Sequence, residues 1–138
     1  MNDNLKYAVL ATDIALFTYR DGELLVRLAK VDRPHIKEKR ALPGGLILPD
    51  ETALESAKGI LKNKAGIDPS KVHFEQLYTF SEIDRDPRGR VVSVAYSGYV
   101  SWEDLSPSEQ SSTLDSWWST IKQAIGLGYD HNDMLIFA

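Results

Sequence analysis

A proline followed by two glycines is the stretch where this chain best presents backbone groups to a ligand. Pro43-Gly44-Gly45 predicts a tight loop, since glycine adopts backbone angles closed to other residues and leaves N–H groups accessible. A helix should follow, with Asp50 as its N-cap and Glu51 in the first turn, where negative charge suits the helix dipole. The pattern therefore predicts a strand, a glycine loop and a helix.

The predicted helix runs from Glu51 to Ala65. Gly66 is placed as its left-handed C-cap. Its apolar residues recur at helical spacing and form one stripe: Ala53, Leu54, Ala57, Ile60, Leu61 and Ala65.

This segment resembles the Nudix box of the Nudix hydrolase family, G-x5-E-x7-R-E-U-x-E-E-x-G-U, in which U is a bulky aliphatic residue. The positions that match are Gly45, Glu51, Leu61, Gly66 and Ile67. The centre departs from the pattern, because Gly59-Ile60 stands where the family has Arg-Glu and Asn63-Lys64 where it has Glu-Glu.

The departure removes the residues that would hold a metal ion. Positions 60, 63 and 64 share one face of a helix, and three carboxylates there would bind Mg²⁺ against a diphosphate. This chain offers Ile60, Asn63 and Lys64 instead. We therefore expect no metal at these positions, and we expect Lys64 to contact the diphosphate. The helix keeps Glu51 and Glu55, which are the catalytic candidates if the chain is active.

Residues 31–40 form a polar segment that ends beside the glycine loop. Its basic side chains are Arg33, His35, Lys37, Lys39 and Arg40. The segment is either a solvated surface loop or, at Arg40, a source of positive charge where the resemblance puts a diphosphate.

A second motif narrows the resemblance. LYTF at 77–80 and RDPRGRVVSVAY at 85–96 are similar to the Nudix domain of NrtR-type regulators of NAD metabolism and their ADP-ribose-pyrophosphatase-like relatives. Arg85, Arg88 and Arg90 offer forked contacts to phosphate or ribose oxygens.

The same region also has a purely structural interpretation. Three aromatic residues are candidates for stacking an adenine or lining its pocket: Tyr78, Phe80 and Tyr96. The alternative is that these aromatics belong to the core and that the arginines pair with Asp84 and Asp86.

The remaining segments predict a sheet. A hairpin is expected from 5–18 and 23–31, and further strands over 72–80, 91–100 and 116–120. A short helix is expected over 121–125, and another begins near 129. Asp13 is expected at an edge or facing solvent, with a ligand role as the alternative. The three histidines do not cluster, so each is expected on the surface or in a strand.

The resemblance implies one Nudix domain over residues 1–138, an α/β/α sandwich with a mixed β-sheet. It also implies a homodimer and a following winged helix-turn-helix domain outside these residues; a stand-alone relative is the alternative. The 138 residues carry net charge −4 and no cysteine, which argues against a broad nucleic-acid surface and against disulfides. With no signal-peptide pattern and no apolar stretch of membrane length, we expect no membrane contact and a cytoplasmic location.

Two functions remain open at this point. The first is a binding module that recognises ADP-ribose or a similar nucleoside diphosphate derivative without hydrolysing it and needs no cofactor. The second is an Mg²⁺-dependent ADP-ribose hydrolase whose metal ligands differ from those of the usual box positions. The candidate ligands are Glu51, Glu55, Glu82, Asp84 and Asp86. A structural domain without a ligand would leave the arginine-rich loop without a role.

Overall fold

A long β-hairpin forms one half of the sheet in the computed structural model, which describes residues 7–31, 38–124 and 126–137. β1 (Val9–Arg20) and β2 (Glu23–Lys30) pair antiparallel around Asp21 at φ 52° and Gly22 at φ 77°. Two consecutive positive φ angles suit a type I′ turn, whose twist matches that of the paired strands. The predicted hairpin is therefore confirmed.

The two strands of the hairpin separate beyond the turn, and two short strands lie between them. Residues 17–20 of β1 pair with β2, whereas residues 11–13 pair with β4 (Gly44–Leu46). β3 (Arg40–Ala41) pairs with the far end of β2. This separation opens the cleft described below.

Three further strands complete a mixed sheet. β6 (Val91–Tyr99) runs parallel to β1, and β5 (His73–Phe80) pairs antiparallel with β6. β7 (Ser116–Thr120) pairs antiparallel with β2. All three strands were predicted, and β1 lies at the centre with β6 on one side and β2 and β4 on the other.

The helix after β4 begins later than the sequence indicates. α1 spans Ala53–Ile60, and Thr52 is its N-cap. The Thr52 hydroxyl accepts from the Glu55 N–H at 3.1 Å, while the Glu55 carboxylate accepts from the Thr52 N–H at 2.9 Å. The prediction of Asp50 as N-cap is wrong because this reciprocal pair satisfies the first turn instead.

The last turn of the same helix is wider than an α-helical turn. Leu61–Ala65 form a π-helical turn, a form that is often found at functional sites. Gly66 ends it at φ 69°, so the predicted left-handed C-cap is confirmed.

Apolar clusters cover both faces of the sheet, because successive residues of β1 point to opposite faces. Ile14 and Leu16 pack with Ile60 and Leu61 on one face. Ala15 packs on the other face with Met134 of α3 (His131–Phe137). The arrangement is the predicted α/β/α sandwich.

The connections contain short helical segments. Pro69–Lys71 and Trp102–Asp104 are 3₁₀ turns, and α2 spans Pro107–Gln110. The predicted helix over 121–125 is wrong for its described residues. Residues 121–123 form a turn in which the Ala124 N–H donates a hydrogen bond to the Thr120 carbonyl. Gly126, at φ 76°, then changes the direction of the chain. Ile125 lies outside the described residues, as do the predicted surface residues Arg33, His35 and Lys37.

Across the described ranges, every helix is too short or too polar to cross a membrane.

Candidate ligand-binding cleft

A cleft of about 580 Å³ opens where β1 and β2 separate. This volume is within the range of small-molecule binding sites. We refer to two groups of its lining residues. The glycine side consists of Gly44, Gly45, Asn63 and Lys64. The arginine side consists of Asp13, Arg85, Asp86, Arg88, Tyr129 and His131.

Position 44 needs glycine because there is no space for a side chain, and not because of its backbone angle. It lies in β4 opposite Asp13, and a Cβ atom there would stand 1.9 Å from Asp13 Oδ1 and 3.0 Å from the Thr12 carbonyl oxygen. The predicted loop with glycine-only angles is wrong, since Gly44 and Gly45 pair as a strand and neither has a positive φ. The glycines bring the strand close to a buried carboxylate.

Lys64 reaches from the π-helical turn to the glycine strand. Its Nζ donates to the Gly44 carbonyl at 2.7 Å and lies 3.1 Å from where a Cβ atom of Gly45 would stand. The same point is 3.5 Å from Ile60 Cδ1, and Asn63 also lines the cleft. Positions 60 and 64 therefore meet beside Gly45, as helical spacing predicted.

The residues at this place do not fit a divalent metal ion. An aliphatic side chain, an amide and an ammonium group replace the carboxylates that Mg²⁺ requires. Within the described ranges, no group of three or more His, Cys, Asp or Glu side chains is arranged to hold a metal ion.

The two acidic residues proposed for catalysis order the start of the helix. Glu51 Oε1 accepts from the Leu48 N–H at 2.9 Å, and Glu55 takes part in the capping pair. The lining of the cleft includes neither residue.

Asp13 is buried at the centre of the sheet and bonded on both oxygens. Oδ2 accepts from the Ser93 hydroxyl, and Oδ1 lies 3.2 Å from His131 Nε2. His131 Nδ1 accepts from the Leu42 N–H at 2.8 Å, so Nε2 carries the ring proton and donates to Asp13. The expectations of a solvent-facing Asp13 and a surface His131 are both wrong, because each is less than a tenth exposed.

The charge state of Asp13 follows from these contacts. Burial disfavours the carboxylate, but His131, the Ser93 hydroxyl and the Arg85 guanidinium outweigh it and hold the pKa of Asp13 below its usual value. Asp13 is therefore an ion-paired carboxylate in the folded protein.

Arg85 lines the cleft but directs its guanidinium at the protein. Nε and Nη2 donate to the two oxygens of Asp130 at 2.8 and 2.7 Å, and Nη1 donates to the Val91 carbonyl at 3.3 Å. Its side chain is 3% exposed. The pairing is bidentate, the strongest form of arginine–carboxylate contact.

Arg88 is more exposed than Arg85. Its guanidinium pairs with Asp86 at 2.7 Å, lies 5.9 Å from the centroid of the Tyr129 ring and is part of a side chain that is 26% exposed. Arg88 thus keeps an accessible edge at the cleft.

Three other predicted ligand contacts lie outside the lining of the cleft. Arg40 pairs with Glu38 at 3.0 Å. Arg90 donates to the Glu82 carbonyl, and the half-exposed Tyr78 packs edge-on against Phe80. Direct roles for these three in ligand binding stay predictions, as do those of Gly44, Gly45, Lys64, Arg85 and Arg88 inside the cleft.

Sequence reasoning missed the contribution of residues 129–131. Tyr129 has a positive φ of 56°, and its ring centroid lies 5.3 Å from that of His131. A positive φ in a bulky residue is uncommon and often marks a functional place. The available signal was Asp13 itself, since a carboxylate inside an apolar strand needs a partner.

The fold is that of a Nudix domain. Residues 9–136 match the family model of the NUDIX domain, so the chain belongs to this family. The resemblance seen in the two sequence motifs is confirmed.

The chain is similar to proteins of the NrtR type. It is 31% identical over 131 residues to the ADPR responsive transcriptional repressor NtrR of Acinetobacter baylyi, covering 92% of this chain and 51% of that protein. The chain thus spans about half the length of this curated relative.

Two solved structures extend this similarity. The NUDIX domain of Shewanella oneidensis NrtR complexed with ADP ribose is 28% identical with a TM-score of 0.80, over 99% of this chain and 90% of that one. NrtR of the same organism complexed with a 27mer DNA is 30% identical with a TM-score of 0.78, over 94% of this chain and 59% of that one.

Proposed function

We propose that this domain binds ADP-ribose or a related nucleoside diphosphate derivative in the cleft without hydrolysing it. One observation carries the proposal: a cleft of ligand size presents glycine backbone and Lys64 at the place where the Nudix box would present metal-binding carboxylates. Such a site has groups that attract a diphosphate but lacks the family's usual means of activating water.

The chemistry of the lining matches the parts of such a ligand. Lys64 and the accessible edge of Arg88 suit a diphosphate, since ammonium and guanidinium groups form charge-assisted hydrogen bonds with phosphate oxygens. Asp115 also lines the cleft and offers an acceptor for ribose hydroxyls. Both kinds of recognition therefore come from one cleft.

The relatives support the same class of ligand. The Shewanella oneidensis NUDIX domain is named as a complex with ADP ribose, and the Acinetobacter baylyi relative as an ADPR responsive repressor. We therefore extend the proposal to a ligand-sensing domain of an NrtR-type regulator, homodimeric and cytoplasmic, in which a separate domain contacts DNA.

Hydrolysis is the alternative outcome of the test. The structure gives it little support, because Glu51 and Glu55 order the helix start and Asp86 is paired with Arg88. Glu82 and Asp84 are exposed and lie outside the lining of the cleft.

Calorimetric titration of ADP-ribose in the presence of Mg²⁺ tests the proposal. A saturating isotherm whose heat returns to baseline after each injection is expected. AMP serves as the matched control, and it should bind more weakly because it lacks the diphosphate. Heat that persists after each injection would mean turnover and a hydrolase. No heat with ADP-ribose would overturn this ligand.

A further inference from the structure

We infer that Lys64 supplies, from within the chain, the positive charge that a bound divalent ion would otherwise bring to the diphosphate. Binding of the nucleoside diphosphate derivative is then independent of metal. This inference rests on the proposed function. It adds that the charge comes from Lys64 and that binding needs no metal ion.

The geometry of the glycine side carries the inference. The Lys64 ammonium group is fixed by its 2.7 Å hydrogen bond to the Gly44 carbonyl, and it lies against Gly45 at the lining of the cleft. It stands at the box position where the Nudix pattern has a glutamate. An ammonium group can donate three hydrogen bonds, so contact with a carbonyl is compatible with further contact to phosphate.

The carboxylates near this point are poorly suited to recruit a metal ion instead. Asp13 lies closest to Gly44, and its oxygens are engaged by Ser93 and His131. Asp86, on the arginine side, pairs with Arg88. A divalent ion that used either carboxylate would have to break its contacts, and at the glycine side it would lie beside the positive charge of Lys64.

The positive charges of the arginine side are a less suitable source. Arg85 donates its hydrogen bonds to Asp130 and to the Val91 carbonyl, and Arg88 forms an ion pair with Asp86. Lys64 differs from Arg85 in that it is exposed where it lines the cleft.

The test compares affinity for ADP-ribose in EDTA and in Mg²⁺ for the wild type and for variants at one position. Wild-type Kd values should agree within about twofold in the two buffers. Lys64→Met should weaken binding about 10- to 100-fold in both, the effect of losing a charge-assisted hydrogen bond. Lys64→Glu should be at least as weak in EDTA and recover part of its affinity in Mg²⁺, because it restores one carboxylate of the box.

Two further variants separate charge at the site from charge in general. Lys62→Glu is the matched control, since Lys62 is exposed on the same turn and lies outside the lining of the cleft; its Kd should stay within about twofold of wild type. Lys64→Arg keeps the charge and should keep most of the affinity. Circular dichroism checks that each variant is folded, and either Lys64→Met or Lys64→Glu alone is sufficient to decide.

The possible results distinguish the two proposals. Wild-type binding that appears only with Mg²⁺ overturns the inference and leaves the binding function standing. Wild-type affinity in Lys64→Met, or in Lys64→Glu measured in EDTA, also overturns the inference and leaves the binding function standing. Failure of the wild type to bind in either buffer overturns the proposed function and the inference with it.

Discussion

The two sides of the cleft differ in what their polar groups contact. On the arginine side, Asp13, Arg85 and His131 are each no more than 9% exposed and are bonded to protein partners. On the glycine side, Asn63 and Lys64 are exposed and the glycine backbone is half-buried. Buried charges are costly unless they are paired, so the paired residues of the arginine side hold the shape of the cleft. The glycine side is the more exposed one, and we propose that it contacts the ligand.

Removing Arg85 should have the largest effect on stability. Arg85→Ala leaves Asp130 and Asp13 without their guanidinium, and breaking a buried pair costs about 3–5 kcal/mol. Urea denaturation measures the loss. Arg90→Ala is the matched control, and the free energy of unfolding should change by less than about 0.5 kcal/mol because Arg90 is exposed. Equal effects in the two variants would contradict the division into sides.

Gly44→Ala should have the next largest effect. The new Cβ would stand 1.9 Å from Asp13 Oδ1, so the strand or the Asp13 pair must move, at a cost of about 3 kcal/mol. The matched control is Gly59→Ala in α1, where a Cβ meets nothing within 4 Å. That variant should gain up to about 1 kcal/mol from helix propensity. A Gly44→Ala variant as stable as wild type would show that position 44 can hold a side chain.

Acid should weaken the arginine side through Asp13. Its pKa is lowered on folding, so the unfolded state binds the proton more readily and the free energy of unfolding falls as pH drops below about 4. The stabilisation by the Asp13 carboxylate is complete above the pKa that Asp13 has in the unfolded state. It is lost as the pH falls through the lower pKa of the folded state. Denaturation curves at pH 7, 5, 4 and 3 should give a shallower acid dependence for Asp13→Asn. An equal acid dependence of stability in the wild type and in Asp13→Asn would show that Asp13 is not its cause.

Arg88→Ala should give the smallest effect on stability. Arg88 belongs to the arginine side but is partly exposed, as the residues of the glycine side are. Asp86 is buried and loses its partner in this variant, but Arg88 is partly exposed and its removal admits water, so the stability change should be about 1–2 kcal/mol. Affinity for ADP-ribose should fall about 5- to 10-fold from the loss of one phosphate contact. Calorimetry on this variant and on Arg90→Ala sharpens the comparison. A fall only in Arg90→Ala would move the ligand outside the cleft.

Local patterns in the sequence were sufficient for most of the sheet and for the box helix. Alternation and turn residues predicted the hairpin and the strand Ser116–Thr120, and Gly66 marked the helix end. Helical spacing placed Ile60 and Lys64 together beside Gly45. These features depend on residues that are neighbours in the chain.

The arginine side depends on residues that are far apart in the chain, so it could not be predicted in the same way. Asp13 and His131 meet only because β1 and α3 are brought together by the whole sheet. The structural alternative to a ligand contact paired Arg85 with Asp84 or Asp86, its neighbours in sequence, whereas Arg85 pairs with Asp130. The reason that Gly44 must be glycine likewise lies in a neighbouring strand.

Phosphorus NMR of ADP-ribose with the protein and Mg²⁺ separates binding from hydrolysis, because one spectrum reports both. The diphosphate resonances should shift or broaden as protein is added and should stay intact on long incubation. Growing phosphomonoester resonances, in proportion to the protein present, would contradict the proposed function and identify a hydrolase.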